Sequence, residues 1–420
     1  MIINWLKTFI LASNILLLDY YFIAENIRIM TLSICLLILF YFIDYGVIKR
    51  DRIFTLEEDT SKIIKASFLF VAYIVLIDLY HNHSIYKTMV FAFSSIITIS
   101  LLPIFENRQI PYNFIRRFKL LMIISMAFSL IQFITSNNNI ILSNIISGFG
   151  IMGVDQAVDL EIFTDNYFRT TGATSNNIGF TIQLSIFIII EYVTFMQFRR
   201  PKEIISILAS FFILITTQTR AALFSIAPVI FAIQMLFIKL KKKRQIAAVI
   251  IFWVFFISIG YFALDFILTK MTYIGRNIME KDMHRFTTNW IMTIGVLKES
   301  PLFGISPERA WDIYLQYGGD VNHYLSAHYS TAGPTHHNQL GFYLRYYGLI
   351  GVFFLCWLYV LIFKKIMRAK SFWIGVALGS IFIFDLVFSM AHNNKLLASP
   401  LLWIFLSLAS IDPENEESPL

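Results

Sequence analysis

Long apolar runs recur along this 420-residue chain, and they limit what it can fold into more than any other feature. Stretches of about 18 or more residues with few charges are long enough to cross a bilayer as helices. Backbone groups in lipid must be bonded internally, so these runs predict helices rather than isolated strands. Charged residues make up 15% of the chain, against about 25% in an average soluble domain. We therefore predict an all-α polytopic membrane protein.

The apolar runs predict about twelve spanning helices in one bundle over residues 1–411. The predicted ranges are Thr8–Ala24, Ile27–Gly46, Ile63–Tyr80, Thr88–Phe105, Lys119–Thr135, Ile178–Met196, Ile204–Thr216, Ala221–Ile238, Ile246–Leu268, His337–Phe363, Ser371–Met390 and Leu396–Ile411. Two long polar stretches, residues 136–177 and 269–336, interrupt the runs. The acidic tail, residues 412–420, is expected to be disordered.

Basic clusters predict the orientation of the bundle. They are KRDR at 49–52, the loop with Arg116, RRPK at 199–202, KKKR at 241–244 and KKIMRAK at 364–370. All of them fall on one side if both termini are cytoplasmic, as the positive-inside rule requires. The two long polar stretches then lie outside, as a first loop and a larger, partly helical loop before the tenth helix.

Several functional classes are not expected. The net charge of +7 belongs to short inner loops, so it reports orientation and not nucleic-acid binding. Cys35 and Cys356 lie inside apolar runs and do not form a disulfide framework. The chain contains no Walker loop, no GxGxxG motif at a helix start and no HExxH motif. An enzyme of this kind must therefore take its driving force from its substrate.

One candidate site is the segment RTTGATSNN, residues 169–177, just before the sixth predicted helix. Arg169 never loses its charge and can hold a phosphate through two parallel hydrogen bonds. Gly172 lets backbone approach a ligand, while Asn176 and Asn177 stand at a helix start, whose free N–H groups attract anions. A capped helix start with an interfacial arginine is the alternative.

Two more arginines stand on the same predicted side. The short turn Thr217–Arg220 separates two apolar helices and holds Arg220 at the membrane boundary, where a charge is costly unless paired or wet. Snorkelling towards the headgroups is the alternative for this arginine. Arg285 precedes Trp290 in the larger outer loop, where an amphipathic surface helix is the alternative.

His337 and Asn338 lead into the tenth predicted helix. On a helix His337, Gly341 and Gly348 share one face, and the two glycines would leave a groove below the imidazole. A neutral imidazole at the mouth of a groove can act as a general base. Arg345 lies about a quarter turn away. An interfacial histidine without a chemical role is the alternative.

All eight histidines fall on the outer side in this topology. Either the inner loops are simply short and basic, or the outer face uses imidazole chemistry. No metal is expected, because adjacent histidines point apart on a helix and neither a cysteine nor an HExxH motif supports them. The membrane carboxylates lie mostly near helix ends and are interpreted as interfacial or packing residues. They are Asp19, Asp44, Asp78, Glu191, Asp265 and Asp385.

Taken together, these segments resemble the O-antigen ligase and polymerase superfamily of bacterial surface-polysaccharide biosynthesis. The similarity rests on RTTGATSNN at 169–177, the arginine turn at 217–220, R…W…SPLFG within 285–304, and HNQL…GLIG within 337–351. It covers the C-terminal two-thirds of the chain, while the first five helices match only in character. The family often has Asn-Pro-Asn where this chain has Ser175-Asn176-Asn177, and Ser-Arg where it has Thr219-Arg220.

The resemblance implies a glycosyltransferase that uses glycan on a polyprenyl diphosphate and needs no metal or cofactor. Arg169, Arg220 and Arg285 would hold the diphosphate and stabilise its growing charge. His337 would accept a proton from the attacking sugar hydroxyl. The supporting residues would be Gly172, Asn176, Asn177, Asn338 and Arg345.

Three activities remain open at this point. A polymerase joins lipid-linked repeat units, and the divergent, aromatic-rich sequence favours it. A ligase instead moves finished glycan onto lipid A-core, and a flippase transports lipid-linked oligosaccharide. The expected partners are polyprenyl-diphosphate-linked oligosaccharides and the bilayer, with a chain-length regulator as a further candidate. The expected location is the bacterial inner membrane, with the active site facing the periplasm.

Overall fold

A computed structural model describes most of the chain as helices. The described residues are 2–17, 20–22, 27–43, 57–106, 111–135, 151–153, 170–174, 177–217, 219–237, 278–320, 338–390 and 396–410. The helices are α1 Ile2–Leu16, α2 Ile29–Phe42, α3 Glu58–Tyr80, α4 Ile85–Glu106, α5 Pro111–Thr135, α6 Asn177–Phe198, α7 Pro201–Thr216, α8 Arg220–Phe237, α9 Ile278–Glu299, α10 Ala310–Gln316, α11 Gln339–Met367, α12 Phe372–Ser389 and α13 Pro400–Leu406.

The helical class is confirmed, and the ranges agree with most of the predicted ones. The ninth predicted helix, residues 246–268, lies outside the described residues. Within the described residues, six helices are long and apolar enough to cross a membrane. They are α3, α4, α6, α11, α12 and, within α5, Phe114–Thr135. Helices of this kind indicate a membrane protein, while a total of twelve spans stays a prediction.

Three short strands form a small antiparallel sheet that contacts α2. Its strands are β1 Tyr20–Phe22, β2 Ile27–Arg28 and β3 Ile151–Gly153, in the order β2-β1-β3. The predicted helix Thr8–Ala24 is wrong at its C-terminal end, because α1 ends at Leu16 and residues 20–22 pair with β3. This pairing ties the first predicted outer loop to the N-terminal part of the chain.

Helix ends follow local rules. Glu58 and Asp59 lie in the first turn of α3, where negative charge opposes the helix dipole. Pro201 begins α7 and Pro400 begins α13, positions at which the missing N–H would have no intrahelical partner. Asn338 caps α11, and its side chain accepts a hydrogen bond of 2.5 Å from the Gly341 backbone N–H.

A buried ion network joins helix ends at one end of the bundle. The Lys365 ammonium lies 2.9 Å from the Glu106 carboxylate and donates to the Thr60 hydroxyl over 2.8 Å and the Ser410 hydroxyl over 2.7 Å. Glu57 adds a partly exposed carboxylate at 3.4 Å. Lys365 is only 2% exposed, so its charge depends on these partners.

Aromatic contacts bring further helix ends to this same end. Phe198 packs against Trp373 with ring centroids 6.0 Å apart, and Phe237 packs against Phe372 at 5.4 Å. The arginine and lysine pairs at 199–202 and 364–370 lie here, so we call it the basic end. The opposite end, called the loop end, carries the loop after α3, the turn before α8 and residues 300–306.

Candidate active site at the loop end

Helix α11 folds back on itself at Gly348, which has φ 62° and ψ −165°. The Tyr359 hydroxyl donates to Oε1 of Gln339 over 2.6 Å. The Tyr343 carbonyl oxygen lies 3.4 Å from the Cβ position of Gly351. Twenty residues of straight helix would span about 30 Å, so the two segments must run side by side in opposite directions. The predicted continuous helix over 337–363 is wrong in this respect.

The segment before the bend, residues 339–347, is called the arm. A turn formed by residues 301–304 lies against the bend and bonds to both sides of it. The Leu349 N–H donates to the Pro301 carbonyl over 2.8 Å, and the Ile305 N–H donates to the Arg345 carbonyl over 2.7 Å. Backbone groups that lose their helical partners at the bend are therefore bonded by this turn.

The contact between the bend and the turn requires a glycine on each side, Gly348 in the bend and Gly304 in the turn. A Cβ at Gly348 would collide with the Leu302 carbonyl, and a Cβ at Gly304 would collide with the Arg345 carbonyl. Both glycines also have positive φ, 62° and 74°. The expected groove below His337 is therefore not formed at Gly348, because the 301–304 turn fills that space. Gly341 is buried as well, and its N–H is bonded to the Asn338 cap.

The start of the arm carries a buried polar cluster. Gln339 and Tyr343 are buried on the arm, and Tyr359 lies beside them on the other segment of α11. Asp385 and Ser389 of α12 interact with the Tyr359 hydroxyl. Nine residues of helix separate Gln339 from the bend, a rise of about 13 Å. Asn338, predicted at an outer helix end, thus lies next to the polar interior of the bundle.

The segment containing Gly172 is held by side chains of α5. The Gln132 side chain accepts hydrogen bonds from the N–H groups of Thr171 (2.9 Å) and Gly172 (3.1 Å). The Ala173 N–H donates to the Ser125 hydroxyl over 3.1 Å. Gly172 has φ 63°, and an added Cβ would meet the Phe180 ring and Ser125. This close approach is to protein groups; a close approach to ligand at Gly172 stays a prediction.

Two pairs of threonines, which we call the threonine clasp, join the segments next to the predicted arginines Arg169 and Arg220. The hydroxyls of Thr170 and Thr216 lie 2.8 Å apart, and the Thr170 N–H donates to the Thr216 carbonyl over 3.4 Å. The hydroxyls of Thr181 and Thr219 lie 3.1 Å apart. All four threonines are buried. The structure thereby brings the backbone next to position 169 together with the turn before Arg220.

Helix pairing relates this clasp to the polar cluster of the arm. Helices α8 and α12 pack along their lengths, and Phe237 meets Phe372 at the basic end. From that contact, 17 residues lead back to Arg220 and 17 lead forward to Ser389. The rise per residue is equal in both helices, so Arg220 and Ser389 both lie at the loop end of their helices.

Helix α9 carries Arg285 in its first half. Thr288 and Met292 follow Arg285 at three and seven residues, and both are fully buried. Met292 belongs to a small second core with residues of α10, and Leu344 of the arm packs against that core. Trp290 is 60% exposed, as expected for an amphipathic surface helix.

Only some of the predicted site residues are among those that the structure describes. Arg169, Asn176 and His337 lie outside the described residues. For Asn177, Arg220 and Arg285 the structure gives the helix positions only. Arg345 is 2% exposed, and its guanidinium lies 4.7 Å from the centroid of the Tyr346 ring. The described segments around Arg169 and Arg220 come together, and the arm with Arg345 lies at the same end of the bundle.

Sequence reasoning missed a carboxylate–imidazole pair beside the bend. Asp78, interpreted above as a packing residue, lies with Oδ1 2.9 Å from Nδ1 of His83. The Thr88 hydroxyl donates to Asp78 Oδ2 over 3.1 Å, and the Tyr347 hydroxyl also interacts with this carboxylate. Only the spacing of an aspartate and a histidine across a short loop could have signalled it.

His81 links the same loop to the 301–304 turn. Its Nε2 lies 3.1 Å from the Phe303 carbonyl oxygen, a distance at which a protonated Nε2 donates. Burial lowers the pKa of the His81 imidazole, although its bond to Phe303 acts in the opposite direction. The Tyr73 hydroxyl donates to the Tyr347 carbonyl over 2.7 Å. The C-terminal part of α3 therefore fixes the bend and its turn together.

The fold defines a helical membrane protein with a folded-back helix at one end of its bundle. No family model and no curated protein matches this chain.

Proposed function

We propose that this protein is a polysaccharide polymerase of the O-antigen or capsule type. It would join oligosaccharide repeat units carried on polyprenyl diphosphate at the outer face of the bacterial inner membrane. The observation that carries the proposal is the threonine clasp, in which Thr170 meets Thr216 and Thr181 meets Thr219. The clasp supports a shared site for Arg169 and Arg220, the two arginines that the resemblance assigns to the diphosphate.

The chemistry suits a chain in which no nucleotide-binding motif was found. The acceptor hydroxyl oxygen attacks the anomeric carbon, and the bond from that carbon to the phosphate oxygen breaks. The electron pair stays with the diphosphate, which is already an activated leaving group. Guanidinium groups stabilise the charge that develops there. In this proposal Arg169, Arg220 and Arg285 do so, His337 accepts the hydroxyl proton, and one displacement inverts the anomeric carbon.

The arm adds support from its own polar groups. Gln339, Tyr343 and Tyr359 bring amide and hydroxyl groups into the bundle beside the loop end of α12. Buried polar groups are costly unless they are bonded, so their accumulation favours a ligand that is rich in hydroxyl groups. A repeat unit next to its diphosphate has this character.

The test is the surface-glycan profile of a strain that lacks the gene, complemented with the wild-type chain or an empty vector. A lost polymerase leaves one repeat unit on lipid A-core, and complementation restores the ladder of longer chains. A lost ligase instead leaves polymer on the lipid carrier and a bare core. A lost flippase leaves single lipid-linked units at the cytoplasmic face. Either of the last two profiles would overturn the proposed polymerase.

A further inference from the structure

One face of α9 is apolar and exposed. Trp290 is 60% exposed and Leu297 is 42% exposed, and Ile294 between them is partly exposed. Residues that follow one another at steps of four and three lie on the same face of a helix, so these three side chains form a stripe. Thr288 and Met292 lie on the opposite face, and both are fully buried. Helix α9 therefore packs on the protein with one side and presents apolar side chains on the other.

The charged residues at the end of α9 lie off this stripe. Lys298 follows Leu297 and lies about a quarter turn around the helix, with its ammonium 5.2 Å from the centroid of the Tyr317 ring. The Glu299 carboxylate accepts hydrogen bonds from the Tyr317 hydroxyl over 2.9 Å and the Gln316 amide over 3.3 Å. A helix face that meets water usually carries polar or charged side chains. The three stripe residues are apolar instead, which favours an apolar partner.

The exposed apolar surface continues from α9 onto two spanning helices. Leu302 and Phe303 of the 301–304 turn are 52% and 43% exposed. The Phe303 ring and the ring of Tyr80, at the end of α3, have centroids 6.3 Å apart. Leu349, directly after the bend in α11, is 45% exposed, and its N–H is bonded to the turn. Helices α3 and α11 are long and apolar enough to cross a membrane, so their exposed apolar side chains meet lipid there. The turn beside them lies at the edge of that lipid-facing surface.

We propose that α9 lies in the membrane interface at the loop end, with its apolar stripe in contact with lipid. An amphipathic helix binds a bilayer by burying its apolar face at the boundary between headgroups and acyl chains. The indole of Trp290 suits this boundary, where tryptophan is enriched. The partner is the bilayer, because the stripe is continuous with the exposed surface of the spanning helices. Lipid contact then holds the 301–304 turn, and with it the bend in α11, at the membrane boundary. This contact needs no substrate, so it can be tested without chain growth.

The test uses the full chain in phosphatidylcholine nanodiscs with one fluorescent label at a time. Cys35 and Cys356 are first replaced by alanine, and Leu297→Cys is labelled with a nitrobenzoxadiazole group. Lys298→Cys is the matched control, because Lys298 is the adjacent exposed residue but lies off the stripe. Phe353→Cys is the lipid-facing reference, since Phe353 is 62% exposed in the spanning helix α11. Phospholipid with a nitroxide on its acyl chain quenches labels in the membrane, and iodide quenches labels in water.

We expect the nitroxide lipid to quench the label at position 297 nearly as strongly as the label at position 353. Iodide should quench the label at position 298 most. A label at 297 that iodide quenches as strongly as the label at 298, with no loss to nitroxide lipid, would overturn the proposal. A protein covering the stripe would shield position 297 from both quenchers, and a disulfide between two Leu297→Cys chains would identify a second copy; either result also overturns it. Should Leu297→Cys not fold, Trp290→Cys places the label on the same stripe, with the same expected results.

Discussion

The backbone of Leu302 occupies the space into which a side chain at Gly348 would project. This contact joins two distant parts of the chain, because the 301–304 turn bonds the backbone on either side of the bend in α11. The bend is therefore a tertiary feature. Neither the turn nor the arm would keep its position without the other.

Gly348→Ala should destabilise the protein by about 2 kcal/mol or more, because a residue with a side chain is strained at φ 62° and also meets Leu302. The measurement is the thermal unfolding temperature of the purified protein in detergent. Gly379→Ala is the matched control, since Gly379 lies in α12 and an added Cβ meets only Ile366 Cγ2 at 3.7 Å. Equal melting temperatures for the two variants would contradict the described bend.

Lys365→Met should cost about 3–5 kcal/mol, because it leaves the buried Glu106 carboxylate without its cation. Adding Glu106→Gln should recover part of that loss, since the charge that lacked a partner is then removed. Lys62→Ala is the control: its ion pair with Glu58 is exposed, and its melting temperature should match the wild type. Equal effects of the two lysine substitutions would argue against a buried network.

Thr216→Val should cost about 1–3 kcal/mol, because it leaves the buried Thr170 hydroxyl without its side-chain partner. We expect chain growth to fall as well, because Arg169 is next to Thr170 in the chain and its position should depend on the Thr170–Thr216 contact. Thr135→Val is the control, because among the described residues its hydroxyl donates to the Ile131 and Gln132 carbonyls of its own helix α5. A Thr216→Val protein with normal chain growth would separate the clasp from the active site.

Stability should fall in mild acid partly through His81. Burial lowers the pKa of this imidazole in the folded chain, so the unfolded chain binds protons more readily. The contribution of neutral His81 to the free energy of unfolding is therefore fully present above the unfolded pKa of about 6.5, and it is lost as the pH falls towards the folded pKa. Melting temperatures of wild type and His81→Gln should be compared near neutral pH and near about pH 5.5. Between the two pH values the melting temperature of the wild type should fall further than that of His81→Gln. An equal fall in both proteins would contradict a role of His81.

Arg220→Lys should lose most chain growth if Arg220 binds the diphosphate, because lysine lacks the planar fork that bonds two oxygens. His337→Ala should abolish chain growth and leave membrane insertion intact. Both are measured as glycan chain length in the complemented deletion strain, with protein level checked by immunoblot. A fully active Arg220→Lys variant would indicate an arginine that merely snorkels. Normal polymer length with His337→Ala would remove its assignment as base.

The helical class could be predicted because apolar runs such as Ile63–Tyr80 are long, and a bilayer permits little else. The fold-back of α11 at Gly348 could not be predicted in this way. Apolar residues continue through Gly348, so periodicity indicates one helix, and the bend depends on carbonyls of Pro301 and Leu302 that are distant in sequence. Likewise β1 pairs with a strand about 130 residues later. Long-range pairing of this kind leaves no local signal.

The motifs of the candidate site were inferred from the sequence, but the groups that hold these segments in place were not. The resemblance pointed to Arg169, Arg220 and their neighbours, while the threonine clasp beside them consists of residues that have no chemical signature in a sequence. Asp78 was interpreted as a packing residue, and His83 was given no role of its own. Their pairing depends on the conformation of the loop, including the positive φ of Asn82.

The Lys365 network has a consequence for how the chain is made. The ammonium gathers oxygens from Glu57, Thr60 and Glu106, which are synthesised early, and from Ser410, which is synthesised hundreds of residues later. A ribosome must deliver both before this cation has all its partners. Glu57 and Glu106 therefore gain their cation only after α11 has been synthesised, and the network is complete only once Ser410 has joined it.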